Sequence, residues 1–248
     1  MRTLIRCSTA AVVACLVTGA ARADERRELA AYRASEQQFL AALAAERRGL
    51  ADDARAGYER ALELDPAFAE AAVNLARLAL AAGDLDGAES WLARAESARP
   101  DYPRIAATRG LLALARGDNA RALGLLTLAQ RVLPEDTEIA VNLGAALIRR
   151  ERFAEARTLL TSVLRAQPDA SDAHYNLALA ADGAGDRDAA RFAYQRFLAL
   201  SSFADPAREG VQQRLSELAA SDPAAARMRE TGLNSEAKAN PSLGRNEP

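Results

Sequence analysis

The chain has 248 residues, of which 61 are alanine and 34 are leucine, and its 32 basic residues nearly balance its 34 acidic ones. Alanine and leucine favour helices, while aromatic residues make up only 5% and β-branched residues are sparse, so the composition excludes an all-β or doubly wound fold. The net charge of −2 gives no general attraction to nucleic acid, and no nucleic-acid partner is expected.

Residues 1–23 have the pattern of a signal peptide. Arg2 and Arg6 precede an apolar stretch over residues 7–21, and small residues stand at the two positions that a signal peptidase reads in Ala21-Arg22-Ala23. The stretch is too short and too interrupted by polar residues to span a membrane. Cleavage after Ala23 would remove both cysteines and leave a net charge of −5, so the sequence predicts an exported, periplasmic protein.

A second interpretation of the same segment stays open. The run Val12-Val13-Ala14-Cys15 resembles the lipobox of bacterial lipoproteins, although valine replaces the usual leucine at its start. Cys15 would then be a lipidation site, and the protein would be an outer-membrane lipoprotein that faces the periplasm. Contact with a membrane is expected only in this case.

The body of the chain repeats with a fixed period of 34 residues. Prolines mark it at Pro66, Pro100, Pro134 and Pro168. An alanine stands twelve residues before each of these prolines, at Ala54, Ala88, Ala122 and Ala156, and Ala190 continues the series one period later. Seventeen residues before it stand Gly49, Gly83 and Gly117, then Glu151, and one period further Gly185. Small residues also recur at Ala42, Ala76, Gly110, Gly144 and Ala178.

With this period and these residues, the chain resembles the tetratricopeptide repeat (TPR) family, whose unit is a 34-residue helical hairpin. The resemblance covers five repeats, at residues 35–68, 69–102, 103–136, 137–170 and 171–204. It implies an all-α fold: a right-handed superhelical α-solenoid of stacked helix-turn-helix hairpins with capping helices.

The residues themselves support such hairpins. A glycine in the left-handed conformation ends the first helix of a repeat, and a proline prevents the second from continuing. Neither helix can bury its apolar stripe alone, so neighbouring hairpins must stack. The array is expected over residues 24–220, with a long N-terminal capping helix near 25–48 and a C-terminal one over 206–220. Residues 221–248 lack apolar periodicity and are predicted to be a disordered tail.

The sequence gives little support for an enzymatic function. His174 is the only histidine, and no cysteine would remain after cleavage, so a nucleophile paired with a base is not available. We interpret His174 as a core or rim residue, because its position in the fifth repeat packs between helices. The glycine-rich residues 183–186 follow a helix and are interpreted as a turn, not a phosphate loop. The sequence therefore predicts no enzyme, no metal and no cofactor.

The resemblance also implies a binding groove, since the first helices of TPR hairpins line a concave surface through positions 2, 5, 9, 12 and 13. Asparagine recurs at position 6, where it either holds a bound peptide's backbone or makes a hydrogen bond between helices, and both interpretations stay open. The candidate groove residues are Val73, Asn74, Arg77, Arg104, Leu111, Leu114, Val141, Asn142, Ile148, Arg149, Tyr175, Asn176 and Leu179.

These features predict a non-catalytic scaffold of the bacterial cell envelope. Its groove would bind a peptide or helix of a protein partner and so assemble or recruit a pilus, secretion or cell-wall complex. The alternative is a lipid-anchored, pilotin-like assembly factor for a pilus or secretion system. The partner's identity does not follow from the sequence.

Overall fold

The computed structural model describes residues 9–220, with side chains from Arg26 onward except that of residue 28. The predicted leader lies partly, and the predicted tail wholly, outside these residues. Residues 9–220 form eleven helices and no strand, which confirms the all-α fold class. The helices are α1 (Thr9–Arg47), α2 (Ala51–Leu64), α3 (Ala69–Ala81), α4 (Leu85–Ala98), α5 (Pro103–Ala115), α6 (Asn119–Val132), α7 (Thr137–Arg149), α8 (Phe153–Ala166), α9 (Ser171–Gly183), α10 (Arg187–Leu200) and α11 (Ala207–Ala220).

The helix ends follow the proline and glycine markers. Four second helices, α2, α4, α6 and α8, each end two residues before a period proline. The turns inside the hairpins use residues with positive φ, between 74° and 79° at the four glycines and 59° at Glu151. Because a side chain disfavours this conformation, Glu151 holds a strained position that the other repeats give to glycine.

The chain divides into two compact units, Met1–Val132 and Leu133–Pro248. In the first, the hairpins α1/α2, α3/α4 and α5/α6 pack around a core that includes the fully buried side chains of Tyr58 and Leu92. In the second, the hairpins α7/α8 and α9/α10 are followed by α11, and Tyr194 and Phe197 lie in the core.

Small residues allow the two helices of a hairpin to approach closely. A Cβ atom added to Gly110 on α5 would lie 2.6 Å from Cγ of Leu126 on α6. One added to Gly144 on α7 would lie 2.8 Å from Cδ2 of Leu160 on α8. Both distances are too short for real carbon contacts, so the leucine of the second helix occupies the space that the glycine leaves.

The last helix closes the second unit. Val211 and Leu218 on α11 are each only 3% exposed. Arg208 on the same helix donates hydrogen bonds through Nη1 to the carbonyl oxygens of Leu198, at 2.7 Å, and Ser201, at 3.1 Å. These contacts satisfy carbonyl groups at the end of α10, which the helix itself leaves without partners.

Candidate binding surface

The first helices of the hairpins form the closer-packed layer of each unit. In the first unit α3 contacts α5, and in the second α7 contacts α9. Within residues 9–220 no comparable contact joins α2 with α4, α4 with α6, or α8 with α10. We call the outward-facing side of α3 and α5 the first-helix face of unit 1, and that of α7 and α9 the first-helix face of unit 2.

In unit 1, most of the predicted groove residues keep part of their surface accessible. Half-buried side chains on this face are Asn74, Arg77, Arg104, Leu111 and Leu114. The prediction for Val73 is wrong, because its side chain is only 1% exposed and belongs to the core beneath α3. A side chain so deeply buried offers no surface to a ligand.

A polar cluster lies at the edge of the unit 1 face. The hydroxyl of Tyr58 donates a hydrogen bond of 2.6 Å to Glu46 Oε2. Arg77 Nη1 lies 3.7 Å from Glu46 Oε1 and donates to Asn74 Oδ1 at 3.4 Å. Burial, and then the hydrogen bond and charge of Glu46, raise the pKa of Tyr58, so the phenol remains a hydrogen-bond donor at physiological pH.

In unit 2, the predicted residues also lie on the first-helix face. Arg149 is exposed, and the half-buried side chains are Val141, Asn142, Ile148, Tyr175, Asn176 and Leu179. The ring of Tyr175 leans toward the core, with its centroid 5.2 Å from that of Phe197. Phe197 is larger than its counterparts in the other repeats, and Tyr175 packs on it.

A second polar cluster lies at the end of the unit 2 face. Arg214 on α11 donates to Asp182 on α9, through Nε to Oδ2 at 2.7 Å and through Nη2 to Oδ1 at 2.8 Å. The hydroxyl of Tyr194 lies 3.4 Å from Asp182 Oδ2. The hydrogen bonds from Arg214 lower the pKa of Asp182 and keep it ionised, although partial burial opposes the shift.

The two clusters share a spacing that could have been found in the sequence. Glu46 precedes Tyr58 by twelve residues, and Asp182 precedes Tyr194 by the same number. Glu46 and Asp182 stand at equivalent positions of the first and fifth repeats, and so do Tyr58 and Tyr194. In each repeat the acidic residue lies on the first helix of the hairpin and the tyrosine lies on the second. The partners Arg77 and Arg214 carry no comparable signal, because they come from a neighbouring helix pair or from the capping helix.

The recurring asparagines make contacts within the chain. Asn176 Nδ2 donates to the carbonyl oxygen of Val141 at 3.5 Å and so links α9 to α7. Asn74 accepts a hydrogen bond from Arg77 on its own helix. The bond of Asn176 agrees with the interpretation in which this position joins neighbouring helices.

His174 and the glycine-rich turn have structural roles. His174 is 7% exposed, and its Nε2 lies 2.9 Å from the carbonyl oxygen of Pro168. α9 ends at Gly183, Gly185 has a φ of 79°, and the Asp186 side chain accepts a hydrogen bond from the Ala189 amide at the start of α10. Residues 183–186 therefore form a helix-capping turn, as predicted.

Residues 9–220 contain neither a metal-binding cluster nor a membrane-spanning helix. No group of three or more His, Cys, Asp or Glu side chains in this part of the chain is placed to hold a metal ion. None of its helices is both long and apolar enough to cross a bilayer.

Comparison with known proteins identifies the repeats. A tetratricopeptide repeat family model matches residues 45–112 and 113–181, and a second matches residues 171–202. No curated protein sequence matches the chain.

Solved structures share the fold at low sequence identity. PilW, a widely conserved type IV pilus biogenesis factor, is 20% identical over 84% of this chain and 95% of its own, with a TM-score of 0.62. A thermophilic TPR protein of Thermus thermophilus is 21% identical over 75% of this chain and 98% of its own, with a TM-score of 0.61. The pilF protein of Pseudomonas aeruginosa is 20% identical over 86% and 96%, with a TM-score of 0.59.

Proposed function

We propose that this chain, which belongs to the tetratricopeptide repeat family, is a non-catalytic scaffold of the bacterial cell envelope. It binds a peptide or helix of a protein partner on its first-helix faces. The observation that carries this proposal is the series of half-buried apolar side chains on these faces, interrupted by arginines. Members of this family are in general non-catalytic proteins that bind other proteins or peptides.

The unit 1 face has the spacing of an apolar stripe. Leu111 and Leu114 are three residues apart on α5, and Arg104 lies two turns before Leu111 on the same side of the helix. The unit 2 face repeats the arrangement on α7, where Val141 and Ile148 are seven residues apart and Arg149 follows. Such surfaces suit the apolar side of an amphipathic segment.

The first-helix faces carry charges of both signs. Two carboxylates that the first helices carry are neutralised within the chain: Glu70 pairs with Arg99 at 2.8 Å, and Asp182 pairs with Arg214 at 2.7 Å. Arg149 is exposed on the unit 2 face, and so are Glu138 on α7 and Asp172 on α9. A partner segment that places a carboxylate beside Arg149 would be complementary in charge at that point, which raises its specificity.

Location in the envelope rests on the leader. Its arginines, apolar stretch and small residues before position 24 support export to the periplasm. Mass spectrometry of the mature N-terminus in the native host tests this part. A start at Asp24 agrees with export and cleavage, whereas a chain that retains Met1 and stays in the cytoplasm would contradict it.

The alternative is a lipid-anchored, pilotin-like assembly factor for a pilus or secretion system. Cys15 within its lipobox-like run supports it, and two fold neighbours are pilus proteins, although at 20% identity the likeness extends to the fold alone. The same mass-spectrometric measurement separates the two proposals, because an acylated N-terminal Cys15 would favour the anchored protein.

Partner binding is tested by site-specific photo-crosslinking in the native envelope. Lys238 is the only lysine, so reagents that join amines would report on the tail and the N-terminus. Benzoylphenylalanine at Ala115 on α5 or Ala145 on α7 places the reactive group on each face, and Ala120 on α6 is the exposed control on a second helix.

The expected result is the same crosslinked partner from Ala115 and Ala145 and none from Ala120. The double substitution Leu111→Asp and Val141→Asp should abolish this product while leaving helical circular dichroism nearly unchanged, because both side chains lie at the surface of their units. A product that forms equally well from Ala120, or survives the double substitution, would contradict the proposal. Loss of helicity would show that these side chains hold the hairpins together.

A further inference from the structure

An apolar notch lies on the second-helix side of unit 1, at the turn between α4 and α5. It is a cavity of about 350 Å³, within the range of about 300–1,000 Å³ that is typical of ligand sites. Its lining includes Tyr102, Pro103, Ile105, Leu125, Leu128 and Val132. Leu111 and Leu114 of the first-helix face do not contribute to it.

The notch lies where the third repeat departs from arginine at position 26, and the fourth repeat departs there as well, with Ser162. Arginine occupies this position in three repeats, and each reaches a neighbouring element. Arg60 Nε donates to Gln38 at 3.2 Å, Arg94 Nη2 donates to the carbonyl oxygen of Leu62 at 3.3 Å, and Arg196 lies 3.7 Å from Asp169.

The third repeat has Leu128 at this position. Leucine cannot bond to the carbonyl group of the preceding second helix, so the space that an arginine would span stays open. Leu128 is 53% exposed, and so is Val132, one turn further along α6. With Leu125 they form a stripe at spacings of three and four residues, which is the spacing of a helix face that meets a partner.

The charged groups at the rim indicate the chemistry of the ligand. The guanidinium of Arg109 is committed to Glu89 at 3.1 Å and to Glu96 at 2.7 Å. Arg99 lies over the Tyr102 ring, 4.2 Å from its centroid, and pairs with Glu70 at 2.8 Å.

The carboxylates at the rim are the more accessible charges. Asp101 is exposed beside Pro100 at the mouth of the notch, and Glu96 is 52% exposed although its Oε2 accepts the 2.7 Å hydrogen bond from Arg109. A ligand would therefore meet an apolar floor beside accessible negative charge.

We propose that this notch is a second binding site, which takes a peptide segment with a large apolar side chain flanked by lysine or arginine. The apolar side chain fills the space over Leu128, and a flanking basic group meets Asp101. The notch is separate from the first-helix faces, since none of the candidate groove residues lines it. The site accordingly does not depend on the function proposed above.

The test uses the full chain, labelled with ¹⁵N, and a synthetic heptapeptide Gly-Ser-Lys-Phe-Lys-Ser-Gly with blocked ends. Two comparison peptides replace the phenylalanine with serine or both lysines with glutamate. Leu128→Arg introduces the arginine that the first, second and fifth repeats have and should span the notch toward the Glu96 carbonyl. Ser162→Arg introduces an arginine at position 26 of the fourth repeat and is the matched control.

The expected result is that the Lys-Phe-Lys peptide shifts the amide signals of Tyr102, Ile105 and Val132. Leu128→Arg should weaken its binding about tenfold or more, because the buried apolar area is lost, while Ser162→Arg should bind as the wild type does. Both comparison peptides should bind more weakly to the wild type. If circular dichroism shows that Leu128→Arg does not fold, Leu128→Ser gives the same comparison.

Several outcomes would overturn the proposal: no shift at millimolar peptide, shifts confined to other residues, equal binding of the glutamate peptide, or unchanged binding in the variant. A concentration-dependent dimer that Leu128→Arg dissociates would assign the notch to a second copy of the chain and would equally overturn it.

Discussion

Arg214 on the last helix holds the carboxylate of Asp182 on α9 with two hydrogen bonds, of 2.7 and 2.8 Å. The two residues are 32 positions apart, so the contact is tertiary and joins the capping helix to the last hairpin of unit 2. Asp182 also stands at a groove position of its repeat, so one carboxylate both anchors the cap and is withdrawn from ligand binding.

This ion pair makes the stability of unit 2 depend on pH. Arg214 lowers the pKa of Asp182 in the folded chain below its unfolded value of about 3.9. A lowered folded pKa gives stability that is present above the unfolded pKa and is lost as the pH falls through the folded one. Asp182→Asn should reduce the free energy of unfolding at pH 7 by about 1 kcal/mol, since the pair is partly exposed. It should also weaken the loss of stability below about pH 4.

Urea unfolding at a series of pH values, followed by circular dichroism, measures both effects. Glu155→Gln is the control, because it removes a carboxylate from a pair of similar length that lies on the surface of a single helix. It should change the pH dependence much less. An unaltered acid transition in Asp182→Asn would show that the cap does not depend on this pair.

Glu151 gives a test of backbone strain. It has a φ of 59° in the turn where the other four repeats have glycine. Because the left-handed conformation costs a residue with a side chain about 1–2 kcal/mol, Glu151→Gly should raise the free energy of unfolding by about 1 kcal/mol after the greater flexibility of unfolded glycine is subtracted. Gly83→Ala is the reciprocal control and should lower it, although an added Cβ would meet no atom within 4 Å. Thermal unfolding measures both, and a destabilised Glu151→Gly would refute the assignment of strain.

The tight helix crossing of the third hairpin gives a test of packing. Ala122 on α6 is fully buried, so Ala122→Leu should overpack the crossing and destabilise the chain by about 1–3 kcal/mol. Ala120, two residues earlier on the same helix, is exposed, and Ala120→Leu should have little effect. Chemical unfolding of the two variants compares them directly, and a wild-type midpoint for Ala122→Leu would contradict the assigned repeat register.

The buried phenol of Tyr58 gives a test of the polar cluster in unit 1. Tyr58→Phe removes a 2.6 Å hydrogen bond to Glu46 and should cost about 1 kcal/mol. Tyr194→Phe, at the equivalent position of the fifth repeat, removes a longer contact of 3.4 Å to Asp182 and should cost less. Equal losses in urea unfolding would mean that the shorter bond contributes no more to stability than the longer contact does.

The sequence predicted the local structure well because local rules determine it. Pro100 and Gly83 set helix ends by backbone geometry alone, so their period was sufficient to place them. The structure contradicts the prediction that Val73 lines the groove, because position 5 lies at the border of the apolar stripe. Val73 is buried while Val141, at the same position two repeats later, is half exposed. Which of them remains accessible depends on neighbouring side chains that a repeat pattern does not specify.

The repeat pattern also does not specify which side chains contact each other between helices, so these tertiary contacts could not be predicted. Arg214 lies outside the repeats, so no period connected it with Asp182. The notch at Leu128 was visible in the sequence only as a departure from arginine, and its significance depended on seeing that Arg94 reaches the preceding helix. The signal peptide at residues 1–23 and the disordered tail at residues 221–248 remain predictions.

The central claim, that partners bind the first-helix faces, is tested most directly by hydrogen–deuterium exchange of the full chain with and without the partner captured by crosslinking. We expect added protection in α3, α5, α7 and α9, and its loss in the variant with Leu111→Asp and Val141→Asp. Protection confined to second helices such as α4, α6 and α8, or unchanged by that double substitution, would contradict the claim.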